Sequence, residues 1–372
     1  MPDGTCIKVL YVLNTTDRGE RNMIIGLHGA GVDATVICRP DAPGRLELEE
    51  AGIRVIPIRI RSKVDFAAIR NLRQLLENES FSLVHVFSKM LLVNYTLASW
   101  GMRTPVVAYR GIIGNLSYWD PFSWLSFLNP RITRMVCVCE GIRQFFLKKR
   151  FLFFFNLFKP EKVVTIYKGH RIEWYQHQHD EKLLPDLGIP SGAKTIGCVA
   201  RLKKRKGIIE LIQAMELIPR GLGPHLVLVG RVLDKSIYAA YEKSASKDRI
   251  HLIGFHPEAA RIAGEFDIIT LPSLRREGLP RAVIEGMAQA IAPVVTDAGG
   301  SPELVEPGIS GLVVPPGDPK ALAEAFTKLL QDDYKRLEMG RQAQQRIGEC
   351  FNVQQSVEKT LKLYTEILEP LA

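Results

Sequence analysis

Two carboxylates and two cations in the second half of the chain carry the first chemical question. Glu277 and Glu285 lie in EGLPRAVIEGM, Glu277 just ahead of an expected helix and Glu285 inside it. Ionised carboxylates only accept hydrogen bonds, so they suit ligands rich in hydroxyl donors, such as a sugar or a ribose diol. The amides of Gly278 and Leu279, beside that helix start, can receive a phosphate. Arg201 and Lys206 project from one loop that opens another helix, and two cations at a helix N-terminus suit a pyrophosphate. Each pattern also has a plainer reading: a solvated basic turn, and an amphipathic helix bearing two solvated acids.

Other residues at strand ends extend the pattern. Gly230 closes the run HLVLV, and Gly254-Phe255 closes another, where it flanks a nucleotide base or simply supplies a core Phe. Gly299-Gly300 follows PVVT and permits close backbone approach to a ligand. Glu303 falls in the first turn of the next helix, as a cap partner. The histidines His170, His177 and His179 lack a convincing ligand spacing, so no metal site is expected. Neither a GxSxG elbow nor a Gly-rich loop ending in GK[ST] occurs, and the early loop NTTDRG has one glycine, which disfavours a dinucleotide fingerprint.

These residues need a scaffold that brings loops together. CIKVLYVL (6–13) reads as a buried strand, followed by a polar loop, a helix over 20–30 and the strand GVDATVIC. Further strands are expected at 53–58, 83–86, 105–108 and 135–138, with a helix over 66–77. Residues 171–190 lack a core period and read as a crossover between domains. Strands then recur at 195–200, 225–229, 251–255, 267–271, 293–296 and 312–314. Helices are expected at 207–216, 280–290 and 319–330, and two more, about 333–348 and 353–369, close the chain. Such alternation means open parallel sheets, whose ligands sit at the carboxyl ends of the strands. The expected organisation is an α/β pair of Rossmann-like domains, 1–175 and 190–350, facing across a cleft. A last helix in 351–372 returns to the first domain.

The 372 residues suffice for two hydrophobic cores, and 46% hydrophobic with 24% charged residues excludes disorder as the whole account. Six scattered cysteines exclude a disulfide scaffold and suit free thiols in a reducing cytoplasm. No signal peptide is evident, and no apolar run is long enough to span a bilayer. The net charge of +9 is concentrated: between Gly141 and Arg171 stand eight basic residues and one acid. The same stretch holds FFLKKRFLFFFNLF (145–158). Lys148, Lys149 and Arg150 beside Phe151, Phe153, Phe154 and Phe155 suit an anionic membrane surface. A core-packed helix with a snorkelling basic rim is the competing reading. A nucleic-acid partner is not expected, because the charge forms two clusters and no continuous stripe.

The second half resembles the retaining, GT-B-fold glycosyltransferases of family 4, the glycosyl transferases group 1. The resemblance rests on VARLKKRKG (199–207), LVLVG (226–230), IGF (253–255), FDIITLPSLRREGLPRAVIEGMA (266–288) and PVVTDAGGSPELVEPGISGLVVPPGDP (293–319). It covers the whole chain, more weakly before residue 170. It implies an enzyme that transfers a sugar from a UDP-, GDP- or ADP-sugar without a cofactor or essential metal. Arg201 and Lys206 would hold the donor diphosphate, Glu277 the donor sugar, Gly278 and Leu279 the diphosphate, and Glu285 the ribose. It implies an envelope glycan or glycolipid acceptor, such as lipopolysaccharide core or a lipid-linked sugar. A monomer lying peripherally on the inner face of the cytoplasmic membrane is the matching expectation.

The first domain departs from the family pattern. The usual GG-x-E is Arg18-Gly19-Glu20-Arg21 here, the usual H-x-H keeps only His85, and Arg110 of AYRG replaces a histidine. The family's PNG is Tyr167-Lys168-Gly169. Gly19, Glu20, Arg18, His85 and Arg110 are therefore the acceptor-side candidates, and Arg18, Arg21 and Arg110 could face an anionic acceptor. A nucleotide-sugar epimerase and an inactive sugar-nucleotide-binding protein remain the rival readings.

Overall fold

A computed structural model describes residues 6–15, 17–114, 116–151, 155–156, 158–176 and 183–369. The chain forms two units: Met1–Gly169 with Phe351–Ala372, and His170–Cys350.

The first unit contains β1 (Lys8–Val12), β2 (Asp33–Cys38), β3 (Arg54–Pro57), β4 (Leu83–Val86), β5 (Val106–Arg110), β6 (Ile132–Cys137), the short β7 (Arg150–Phe151) and β8 (Phe155–Asn156), and β9 (Val163–Thr165). Seven of these make a parallel sheet in the order β3-β2-β1-β4-β5-β6-β9. Its central strands are buried on both faces, so they read as unbroken apolar runs with no alternation. The order reverses between β1 and β4, which places a ligand crevice at their carboxyl ends. Helix Arg18–Gly29 begins there with a capping box. The Asp17 carboxylate accepts from the Glu20 amide at 2.9 Å, and the Glu20 carboxylate accepts from the Asp17 amide. The C-terminal helix Val353–Leu368 packs on this helix, as expected. Gly26 permits the contact, since a Cβ there would stand 2.5 Å from Val357.

The second unit contains β10 (Thr195–Val199), β11 (His225–Val229), β12 (Ile250–Gly254), β13 (Ile268–Leu271), β14 (Ala292–Thr296) and β15 (Leu312–Val314). They form a parallel sheet ordered β12-β11-β10-β13-β14-β15. Its switch point lies between β10 and β13. Arg201 and Lys206 follow the first of these strands, and Glu277 follows the second. The stretch read as a crossover contributes Leu184 and Ile189 to this unit's core, against Val227, Val229, Phe266 and Ile269.

Several segments differ from the sequence reading, which does not include the strand Val163–Thr165 or the helices Arg45–Glu50 and Lys235–Lys243. Lys89–Ala98 is a helix that the sequence does not announce, because nearly every side of it is buried and no apolar stripe stands out. The Phe-rich segment is not one helix. Helix Glu140–Leu147 ends before Lys148, and β7 pairs antiparallel with β8. Phe146 is buried against Phe158 and Phe127, with ring centroids at 5.1 and 6.0 Å, so part of the segment is core. Lys148 and Arg150 are exposed, and Lys149 lies over the Phe145 ring. Phe153 and Phe154 lie outside the described residues. All six cysteines are free thiols. Among the described residues no helix is long and apolar enough to cross a membrane.

Candidate functional site

The loops after β10 and β13 touch each other, and glycine permits it. A short 3-10 turn, Lys204–Lys206, ends at Gly207 in the left-handed region, with φ 70°. A Cβ at Gly207 would lie 1.9 Å from the Pro272 carbonyl oxygen. With no Cβ there, the loops join, and the Leu274 amide donates to the Arg205 carbonyl at 2.9 Å. Gly299 plays the same part on the other side. Its Cβ would fall 2.0 Å from the Glu277 carbonyl oxygen, and the Gly300 amide donates to that oxygen at 3.2 Å. The close approach expected of this glycine pair is thus made to the backbone of Glu277.

The clamped loops bring Lys206 and Glu277 together. Lys206 Nζ donates to Glu277 Oε2 at 2.6 Å, and Ser273 Oγ donates to the same oxygen at 2.7 Å. The lysine and glutamate side chains are only 12% and 11% exposed. Among the described residues no protein group donates to Glu277 Oε1. The preceding Arg276 adopts φ 60°, a conformation that costs a non-glycine residue roughly 1–3 kcal/mol. Burial pushes the nearby Cys198 thiol up to about 12, Lys206 opposing and Glu277 adding to it, so this thiol stays protonated and inert.

Glu285 sits on helix Arg281–Met287, capped at Pro280. It is buried, which raises its pKa, while Arg281 opposes the shift from 3.1 Å away. Arg201, Lys206, Glu277, Leu279 and Glu285 all line one cavity of about 740 Å³, within the range that holds a nucleotide-sized ligand. Gly278 is buried in the same loop. The Gly230 amide donates to the Gly254 carbonyl at 2.6 Å, which ties the ends of β11 and β12 at the cavity's other side. Phe255 is 73% exposed and lines the cavity, so it is not the core residue that its type also allowed. Glu303 lies in a 3-10 turn, Ser301–Leu304, with no longer helix behind it. Sequence reasoning missed Ser273, Arg231 and Leu233. Ser273 stands in a Pro-Ser pair at a strand end, a faint signal; Arg231 and Leu233 gave none.

The acceptor-side candidates occupy the first unit's switch point, but most are inside it. Gly19 is buried against Gly169 and Lys168. Glu20 pairs with Lys168 at 3.0 Å, and Lys168 also binds Asp17. His85 is 1% exposed, bonds Tyr364 Oη through Nδ1 at 2.7 Å and stacks on Phe87. Burial pushes its pKa down to about 3, so it is neutral. Arg110 is buried as well. Its guanidinium donates to the Gly114 carbonyl and lies 4.6 Å over the Phe127 ring. Arg21 is buried and paired with Glu47 at 2.7 Å. The three arginines expected to face an anion together therefore do not: Arg21 and Arg110 are committed inside the unit, and only Arg18 is exposed. Among the described residues no cluster of three His, Cys, Asp or Glu side chains could hold a metal ion.

Basic residues and two carboxylates thus share one cavity of the second unit, and known proteins align with the chain. Residues 179–346 match the family model for glycosyl transferases group 1, and residues 21–166 match that for the glycosyl transferase 4-like domain. The amylovoran biosynthesis glycosyltransferase AmsK of Erwinia amylovora is 32% identical over 183 residues, covering 47% of this chain and 44% of that one. The capsular polysaccharide biosynthesis glycosyltransferase CapM of Staphylococcus aureus is 27% identical over 58% of each chain. The chain thus spans about half the length of these curated relatives. The crystal structure of Anabaena HepE in complex with UDP superimposes with a TM-score of 0.79 at 20% identity, covering 97% of this chain and 100% of that one.

Proposed function

Because the chain belongs to the GT-B-fold glycosyltransferases related to family 4, we propose that it transfers a sugar, with retention of anomeric configuration, from a nucleoside diphosphate sugar to an envelope glycan or glycolipid. The observation that carries this reading is the buried Lys206–Glu277 pair at the β10/β13 switch point, opening on a cavity shared with Arg201 and Glu285. Arg201 and Lys206 attract the donor diphosphate and stabilise the charge that grows on it as the sugar leaves. The amides of Gly278 and Leu279 add donors to the same phosphates. Glu277 Oε1, which has no donor among the described residues, accepts from hydroxyls of the donor sugar. Glu285 accepts from the ribose diol, and Phe255 faces the base.

The chemistry breaks the bond between the anomeric carbon and the β-phosphate oxygen and forms one to the acceptor oxygen on the same face. The departing phosphate takes the acceptor proton. No protein nucleophile is required, and Glu277, bound to Lys206 and Ser273, serves as a sugar-binding carboxylate. Arg18 and Glu20 border the acceptor, and Gly19, His85 and Arg110 support that edge from inside the unit without touching the acceptor.

The envelope acceptor is supported by the relatives named for amylovoran and capsular polysaccharide biosynthesis. It is supported too by Lys148 and Arg150, which are exposed and in sequence adjoin Phe151, Phe153, Phe154 and Phe155, a combination that would dock a monomer on the inner face of the cytoplasmic membrane. A mass-resolved screen tests the proposal. Purified protein meets UDP-, GDP- and ADP-sugars with and without an envelope lipid extract. A sugar-sized gain on a lipid with release of a nucleoside diphosphate supports transfer. An isomerised donor formed without extract would show an epimerase, and donor binding without any product would show lost catalysis.

A further inference from the structure

The cavity in the second unit contains an uncompensated charge that the sequence pattern does not mark. Two of its four cations are spent on its two carboxylates: Lys206 on Glu277 at 2.6 Å, and Arg281 on Glu285 at 3.1 Å. The remaining two are Arg201 and Arg231. Both are exposed, both line the cavity, and among the described residues neither guanidinium has a hydrogen-bond or ion-pair partner.

Their placement is coordinated by the sheet. Val199 and Val229 are register partners at the ends of β10 and β11, and an isolated parallel bridge joins Leu202 to Val232. Arg201 and Arg231 stand between these two pairings. The Leu202 amide donates to the Arg231 carbonyl at 3.0 Å, and the Leu233 amide donates back to the Leu202 carbonyl at 2.9 Å. The extended pairing beyond the strand ends therefore holds two like charges side by side, at the carboxyl edge where a ligand of such a sheet binds. Unpaired like charges repel each other in a partly enclosed site, and an anion between them relieves that repulsion.

We infer that Arg231 is a second diphosphate-binding cation, acting with Arg201 to match one negative charge on each phosphate of the donor. This rests on the donor-site reading above and deepens it. Lys206 is then left to hold Glu277 in place and to meet the charge that develops during departure. Arg231 contributes to ground-state binding of the diphosphate, and because it comes from a different strand end it fixes the phosphates' direction across β10 and β11.

The test is calorimetric titration of UDP, GDP and ADP, as separate probes, into wild type, Arg231→Ala and Arg231→Lys over a range of NaCl concentrations. For the nucleotide that binds, Arg231→Ala should weaken affinity about tenfold at low salt, with a shallower salt dependence than wild type. Arg231→Lys, which keeps the charge, should restore most of both. Thermal melting checks that each variant is folded. Affinity of Arg231→Ala equal to wild type, or weakened affinity with an unchanged salt dependence, would overturn the role given to Arg231 while leaving the donor site standing. Failure of the folded wild type to bind any of the three would overturn the donor-site reading and this inference together.

Discussion

Glu277 and Lys206 are 71 positions apart in sequence, yet Glu277 Oε2 and Lys206 Nζ meet at 2.6 Å in nearly dry surroundings. Neither residue's own loop could hold it there. The sheet places β10 beside β13, Gly207 lets the two loops touch at Pro272, and Gly299 grips Glu277 from behind. A buried ion pair of this kind adds little net stability, because desolvation offsets the attraction. Under the proposed function, its value lies in fixing the two side chains before a ligand arrives, so that no reorganisation is needed during reaction.

Glu277→Gln keeps the shape of the side chain and removes its charge. We expect kcat to fall by about 10²-fold with donor KM changed only a few-fold, as for a group that acts mainly in the transition state. Steady-state kinetics with the donor found in the screen reads this directly. A variant with full kcat would remove Glu277 from the chemistry.

Glu285 is expected to act in the ground state. Glu285→Ala should weaken nucleoside diphosphate binding by about tenfold, the worth of one or two hydrogen bonds to a charged acceptor. Burial raises the pKa of this carboxyl, and only the ionised form accepts from both ribose hydroxyls. Nucleotide affinity should therefore decline, on lowering the pH, sooner than an ordinary glutamate would make it. Titrations at stepped pH, in wild type and in Glu285→Gln, check this; the variant should lack that limb.

His85 predicts an acid sensitivity of the fold. It is neutral and buried in the native state, with a pKa near 3 against 6.5 for a free histidine. The unfolded chain binds the extra proton below pH 6.5, so the contribution of His85 is complete above that pH. It is lost as pH falls towards 3, with a slope approaching about 1.4 kcal/mol per pH unit. Urea midpoints between pH 7 and 4.5 should fall more steeply for wild type than for His85→Phe. Parallel curves would show that this histidine is not buried neutral.

Membrane docking makes a separate prediction. Wild type should float with vesicles containing anionic lipid and remain behind with neutral vesicles. Changing Phe151, Phe153, Phe154 and Phe155 together to Ser should abolish flotation, and so should reversing Lys148, Lys149 and Arg150 to Glu. Equal recovery of all three proteins would sink the docking surface without touching the donor site.

The strands of the second unit were legible because each is a short apolar run ended by glycine, proline or a charge, and Glu277 and Glu285 announced themselves by type and spacing. What the sequence could not convey depended on neighbours far along the chain. His85 and Arg110 look like ligand-facing polar residues, but Tyr364 and Phe127 enclose them. Helix Lys89–Ala98 is buried nearly all round, so no periodicity marks it. Gly299 is close to Glu277 and not to an open site, which only the folded register of β13 and β14 determines. Arg231 belongs to the cavity through its pairing with the chain beyond β10, and a residue list has no way to express that.

The most direct test of the central claim is a crystal structure of the protein with the tightest-binding nucleoside diphosphate. The diphosphate should lie against Arg201 and Lys206 and accept from the amides of Gly278 and Leu279, with the ribose on Glu285. Density for the nucleotide anywhere else on the second unit, or a diphosphate with no contact to Arg201 or Lys206, would contradict the account.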